Sequence, residues 1–141
     1  MKIRIALVAS TALVASLALA RPTAERNGIL TDTGGKTLYN FDKDGGGKSA
    51  CYGQCATAWP PAIAASGAEA SGDHGLIKRD DGSMQWTYKG KPLYYFAGDK
   101  QPGQRLGDGQ GGVWHAIAAG AAAGGSTTSG ATSAGYSNYG Y

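Results

Sequence analysis

One stretch of this chain occurs twice, and that duplication constrains the fold more than any other feature. Residues 35–44 read Gly-Lys-Thr-Leu-Tyr-Asn-Phe-Asp-Lys-Asp, and residues 90–99 read Gly-Lys-Pro-Leu-Tyr-Tyr-Phe-Ala-Gly-Asp. Gly, Lys, Leu, Tyr, Phe and Asp recur in register at an offset of 90 − 35 = 55 positions. The same offset carries Trp59 onto Trp114, far outside the motif, so the repeat covers a structural unit. The fold must therefore pair two similar units.

Each unit reads as β-structure. In the second, Met84, Trp86 and Tyr88 alternate with Gln85, Thr87 and Lys89, a period of two that predicts one apolar and one wet face. Lys89-Gly90 makes the turn into Pro92-Leu93-Tyr94-Tyr95-Phe96, a strand apolar on both faces and so expected near the middle of its sheet. In the first unit, residues 28–33 and 36–41 flank Gly34-Gly35, a signal for a hairpin with a type I′ turn. Residues 62–75, rich in Ala, Ser and Gly, read as a surface loop. Residues 75–78 read as a short strand, residues 79–82 as a turn, and one or two helical turns are expected around residues 54–59 before Pro60-Pro61. The fold class expected is mainly β: two tandem hairpin-plus-loop repeats, about residues 28–63 and 83–118. They pack with pseudo-twofold symmetry into one small domain (residues 21–119) with at most short helical turns.

The ends differ from this body. Lys2 and Arg4 precede an apolar run over residues 5–20 that closes on Ala18-Leu19-Ala20, the pattern of a signal peptide cleaved near Ala20. Cleavage leaves 141 − 20 = 121 residues with 13 − 2 = 11 basic and 10 acidic side chains, a formal charge of +1. Such a balance, with lysines scattered singly, excludes an electrostatic nucleic-acid binder. A soluble periplasmic or secreted protein with no integral membrane span is expected. Residues 120–141, of Gly, Ala, Ser and Thr with Asn138 and three tyrosines, lack the apolar surface to offset ordering entropy and read as a disordered tail.

On each motif strand, Tyr39 and Phe41, or Tyr94 and Phe96, share a face, with Leu38 or Leu93 opposite; the aromatic pairs are expected in the core with Trp59 and Trp114. Asp44 and Asp99 stand where the strands end and suit carboxylates that accept N–H groups from the following glycine-rich loop. Asp42-Lys43-Asp44-Gly45 resembles the start of a calcium loop, but the later ligands and closing Glu are missing. Residues 98–112 do not match a phosphate-binding loop.

Cys51 and Cys55 are the only cysteines, and three readings of them stay open. They form a disulfide, the common use of a nearby pair in an exported chain, closing a loop for about 2 kcal/mol. They bind copper, with Met84 and His115 completing the set and His74 a further candidate. Or they cycle as a redox dithiol, although the usual redox spacing has two intervening residues rather than three. His115 should point opposite to Trp114, and its counterpart in the first unit is Pro60, which weakens a metal site duplicated with the fold. His74 lies in a Ser-Gly-Asp-His-Gly stretch and is expected to be exposed.

Tyr39-x-Phe41-x-x-Asp44 and Tyr94-x-Phe96-x-x-Asp99, with Cys51-x-x-x-Cys55 and Trp59-Pro60-Pro61, resemble a family of predicted bacterial lipoproteins and secreted repeats that carry a Tyr-x-[Phe/Trp/Tyr]-x-x-Asp motif. The resemblance covers about residues 28–118 and implies a bacterial, extracytoplasmic, tandem-repeat protein with no established reaction. No Cys follows Ala20, so the lipid anchor of that family is not expected here. The function expected is an exported, non-enzymatic module that binds an envelope protein or polymer without a cofactor. The alternative is a periplasmic copper- or thiol-redox-handling protein. A hydrolase ranks third, because Asp42, Asp44, Asp99 and Asp108 have turn roles and no acid/base partner at a recognisable spacing.

Overall fold

The computed structural model describes residues 22–120. The expected signal peptide and the tail beyond Gly120 lie outside the described residues. Strands β1 (Thr23–Arg26) and β2 (Ile29–Asp32) form an antiparallel hairpin, β3 (Tyr39–Phe41) follows, and a short helix α1 (Gln54–Ala58) precedes Trp59. Strands β4 (His74–Lys78), β5 (Met84–Tyr88) and β6 (Lys91–Pro92) form a three-stranded antiparallel sheet in that order. A single 3-10 turn (Gln110–Gly112) leads to β7 (Trp114–Ala116), which pairs antiparallel with β3.

Two hairpins turn in the tight form that matches strand twist. Asn27-Gly28 joins β1 to β2 and Lys89-Gly90 joins β5 to β6, and all four residues have positive φ (51°, 76°, 48° and 80°), as a type I′ turn requires. The expected I′ turn at Gly34-Gly35 is corrected by this geometry. Of the two glycines only Gly35 has positive φ, and the turn is held instead by Asp32, whose carboxylate accepts the N–H groups of Gly34 and Lys36. A carboxylate at the first position of a turn replaces the backbone preference that the glycine pair suggested.

The two repeats exchange their final strands. After Trp59, residues 62–64 pair not with their own hairpin but with the second repeat's: Ala62 N–H donates to Leu93 O and Trp86 N–H to Ala62 O, each at 2.9 Å. After Trp114, the second repeat returns the exchange. Ile117 N–H donates to Leu38 O at 3.1 Å and Leu30 N–H to Ile117 O at 2.8 Å. At the centre Tyr39 and Tyr94 bond each other reciprocally through the backbone, at 2.9 and 3.0 Å. That reciprocity is the mark of a local twofold.

The exchange accounts for two departures from the sequence reading. Residues 62–64 are a strand-like segment with Ala62 and Ala64 buried, not part of a surface loop. They extend the sheet along the edge of β5, and on the face expected to be wet Gln85 is buried against Arg79 and Thr87 beside Gly75, while Met84 on the other face is exposed. The core has two layers on opposite sides of the motif strands. One is aliphatic (Leu30, Leu38, Ala62, Leu93, Ile117), with Trp86, Tyr88 and Tyr95 packed on it. The other is aromatic and holds the motif side chains.

Candidate functional site

The aromatic layer is a column of four rings built from two equivalent pairs. Trp59 and Trp114 stack at 3.9 Å with planes 2° apart, across the pseudo-twofold. Phe41 caps Trp114 at 4.1 Å and Phe96 caps Trp59 at 4.5 Å, each Phe serving the other repeat's Trp. Tyr39 meets Trp59 edge-on at 5.3 Å, and Tyr94 meets Trp114 in the same way at 5.2 Å. Stacked and T-shaped contacts of this kind add about 0.5–1.5 kcal/mol per pair beyond area burial.

The phenols complete the exchange. Tyr39 O–H donates to Asp99 Oδ2 at 2.6 Å, and Tyr94 O–H donates to Asp44 Oδ1 at 3.1 Å. Each carboxylate also accepts a backbone N–H from the loop that follows it, Ala50 for Asp44 and Leu106 for Asp99. Burial, with the neighbouring carboxylate adding to it, pushes Tyr94 up to about 12 and Tyr39 well above the ordinary phenol range. Burial likewise raises Asp44, whose Oδ2 is buried without a hydrogen-bond partner, against the opposing pull of Ala50 N–H, Tyr94 and Arg79. Phenols hydrogen-bonded to the other repeat's carboxyl groups hold the two repeats together.

The loops after the two aspartates are equivalent but stapled differently. The bonds Ala50 N–H to Asp44 and Leu106 N–H to Asp99 align Cys51 with Gly107. Cys51 and Cys55 are disulfide-bonded, with Cα atoms 5.3 Å apart, and Cys51 is fully buried in the aromatic layer. Gly107 instead lies flat on the rings, where a Cβ would sit 2.6 Å from Trp59 Cη2 and 2.9 Å from Phe96 Cγ. Asp108 closes this second loop by accepting Ala116 N–H at 2.9 Å.

The residue that sequence reasoning missed is Arg79. Its side chain is buried and donates to Cys51 O at 2.7 Å, and to Ser49 Oγ and Gln85 Oε1 at 2.8 Å each, while its guanidinium lies 4.4 Å from the Tyr52 ring. Gln85 in turn donates to Leu93 O at 2.7 Å. Ser49 lies 2.7 Å from Tyr94 Oη, so Arg79 ties the stapled loop to the motif tyrosine of the other repeat. Its only sequence signal was membership of the Arg79-Asp80-Asp81-Gly82 turn, which Gly82 N–H closes on Arg79 O.

The residues of the copper alternative are dispersed. The sulfurs of Cys51 and Cys55 are bridged, His115 Nε2 pairs with Asp42 Oδ2 at 2.8 Å on the surface, and Met84 faces outward on β5. Among the described residues no three His, Cys, Asp or Glu side chains converge. The calcium-like pair is likewise engaged elsewhere, Asp42 with His115 and Asp44 with Ala50 and Tyr94. His74, expected to be exposed, is buried as the first residue of β4, and its Nε2 lies 2.8 Å from Thr23 Oγ1. The Thr23 contact and the neighbouring Trp86 and Tyr88 rings, invisible from its loop-like sequence, enclose it.

Among the described residues three grooves open on the surface, one of them, of about 240 Å³, beside Ser71, Asp73 and His74; the other two flank this core. One, of about 240 Å³, is lined by Asn40, Asp42, Asp44, Gly46, Gly47 and Lys91. The other, of about 180 Å³, lies between the β1–β2 hairpin and the second glycine-rich loop and is lined by Arg26, Ile29, Thr31, Thr37, Gly103 and Arg105.

Fold and centre together define a class: a small, mainly β domain of two interlocked repeats whose signature residues build its core. The chain belongs to the Lipoprotein_15 family, a secreted repeat of unknown function, whose model matches residues 23–63 and 75–118, one repeat each. No curated protein and no solved structure matches the chain. Among the described residues no helix is long and apolar enough to cross a membrane.

Proposed function

We propose that this protein is an exported, non-enzymatic binding module of the bacterial envelope, cleaved near Ala20 and held rigid so that its loops and grooves meet an envelope protein or polymer. The observation that carries this reading is the reciprocal locking of the motif. Tyr39 bonds Asp99, Tyr94 bonds Asp44, and all four side chains serve the seam between repeats. The loops and grooves that remain outward are the usual place for recognition on a rigid scaffold. The Cys51–Cys55 bridge suits an oxidising compartment and supports export.

The test uses exported protein recovered without reductant. Intact mass with thiol alkylation, followed by co-sedimentation with isolated envelope material, should give a non-alkylating chain that sediments with that material. Alkylatable thiols together with bound copper, or a chain that stays wholly in the supernatant, would overturn the reading.

A further inference from the structure

We infer that the groove between Arg26 and Arg105 is a binding site for an acidic sugar residue, of the uronate type, in an anionic envelope polysaccharide. The inference rests on the binding-module reading and names its ligand class. Among the described residues the chain has three arginines, Arg26, Arg79 and Arg105. Arg79 is spent inside the core, and the other two line this one groove. Neither guanidinium has a hydrogen-bond or ion-pair partner among the described residues, and no acidic side chain lines the groove with them. Two arginines without a partner among the described residues, lining one groove, are matched to a carboxylate or a similar oxyanion.

The exposed Arg26 side chain packs along a glycine platform. It lies across Gly35 and Gly103, where added Cβ atoms would stand 3.4 Å from its Nε and 3.5 Å from its Cδ. Gly103 N–H donates to Gly35 O at 2.9 Å, which fixes that glycine platform.

The groove's floor selects further. Thr31 Oγ1 donates its proton to Asp32 O at 2.9 Å, and Thr37 Oγ1 donates to Gln104 O at 2.6 Å. Both hydroxyl protons are thus engaged within the protein, and a bond either hydroxyl makes to a ligand can only be an accepted one. Lone pairs repel a bare anion and receive hydroxyl donors. A ligand carrying a carboxylate for the arginines and hydroxyls for the threonines is an acidic sugar. At about 180 Å³ the groove is below the roughly 300–1,000 Å³ of pockets that enclose whole small molecules, so it takes one residue of a chain and leaves the rest outside.

The experiment is calorimetric titration of the full exported protein with oligogalacturonate, with neutral dextran of matched length, and with inorganic phosphate as competitor. Arg26→Gln and Arg105→Gln, both at exposed positions, are run alongside after a melting check. The inference expects oligogalacturonate to bind, dextran not to bind, phosphate to compete poorly, and each variant to lose about tenfold or more in affinity, as removal of a charged hydrogen bond does. If envelope material holds wild type and both variants equally, the groove assignment is overturned while the binding-module reading stands. Phosphate competing as well as galacturonate overturns the sugar assignment. Wild type that binds envelope material but not oligogalacturonate overturns the groove's ligand, and wild type that binds neither overturns both readings.

Discussion

Asp44 and Arg79 show how far single side chains carry this fold. Asp44 is half-buried and its carboxyl is raised by burial, so the folded state holds that proton more tightly than the unfolded chain does. Its contribution to stability is therefore greatest below the ordinary carboxylate range, and is lost as pH rises through its own raised value. Asp44→Asn keeps an acceptor for Ala50 N–H and Tyr94 O–H and abolishes the titration. Urea unfolding from about pH 4 to about pH 7 should show wild type losing stability relative to this variant as pH rises. A constant difference between the two across that range would contradict the assignment. Arg79 acts differently, through three donated bonds. Arg79→Ala leaves Gln85 Oε1 and Cys51 O without their partner, and should lower unfolding free energy by about 3 kcal/mol. A loss below about 1 kcal/mol would mean that water replaces the guanidinium.

At the scale of elements, the two loops after the motif aspartates solve one problem in two ways. The first is stapled by Cys51–Cys55, and the second presses Gly107 onto the rings. Replacing both cysteines by alanine should cost about 2 kcal/mol on the chain-entropy estimate for so short a loop, read as a shift in urea midpoint. Gly107→Ala should cost about 1–3 kcal/mol by forcing Trp59 and Phe96 apart, whereas Gly45→Ala, with open space around it and no positive φ, should be near neutral. Equal effects of the two alanines would remove the close-packing argument. The elements were unevenly legible in the sequence. Residues 54–59 and 75–82 declare their helix turn, strand and turn locally, because Pro60-Pro61 and Gly82 punctuate them. Alternation in β5 misled because period two names the faces without saying what covers each. Gln85 and Thr87 look like a solvent face until Arg79 bonds Gln85 and Gly75 of the neighbouring strand lies against Thr87, and both come from outside the strand.

For the whole molecule, the duplication at an offset of 55 residues announced a two-repeat β domain, and the family match agrees with it. The exchange of final strands was not legible. Two identical repeats satisfy the same local patterns whether each closes on itself or on its neighbour, and only the chain path around Trp59 and Trp114 decides. The grooves were equally hidden, since Arg26 and Arg105 are 79 positions apart (105 − 26) and meet only because loop residues 101–106 fold back on the first hairpin. The exchange makes a strong claim about cooperativity. Each half lacks the strand that completes its hairpin, the partner of its motif tyrosine and the second tryptophan of the stack. The most direct measurement is nitrogen–proton correlation NMR on residues 22–70 and 71–120 made separately and then mixed. Interlocked repeats predict collapsed amide dispersion for each half alone and a native-like dispersed spectrum on mixing. A half that gives a dispersed spectrum by itself would show that the repeats close independently, and would contradict the exchanged architecture.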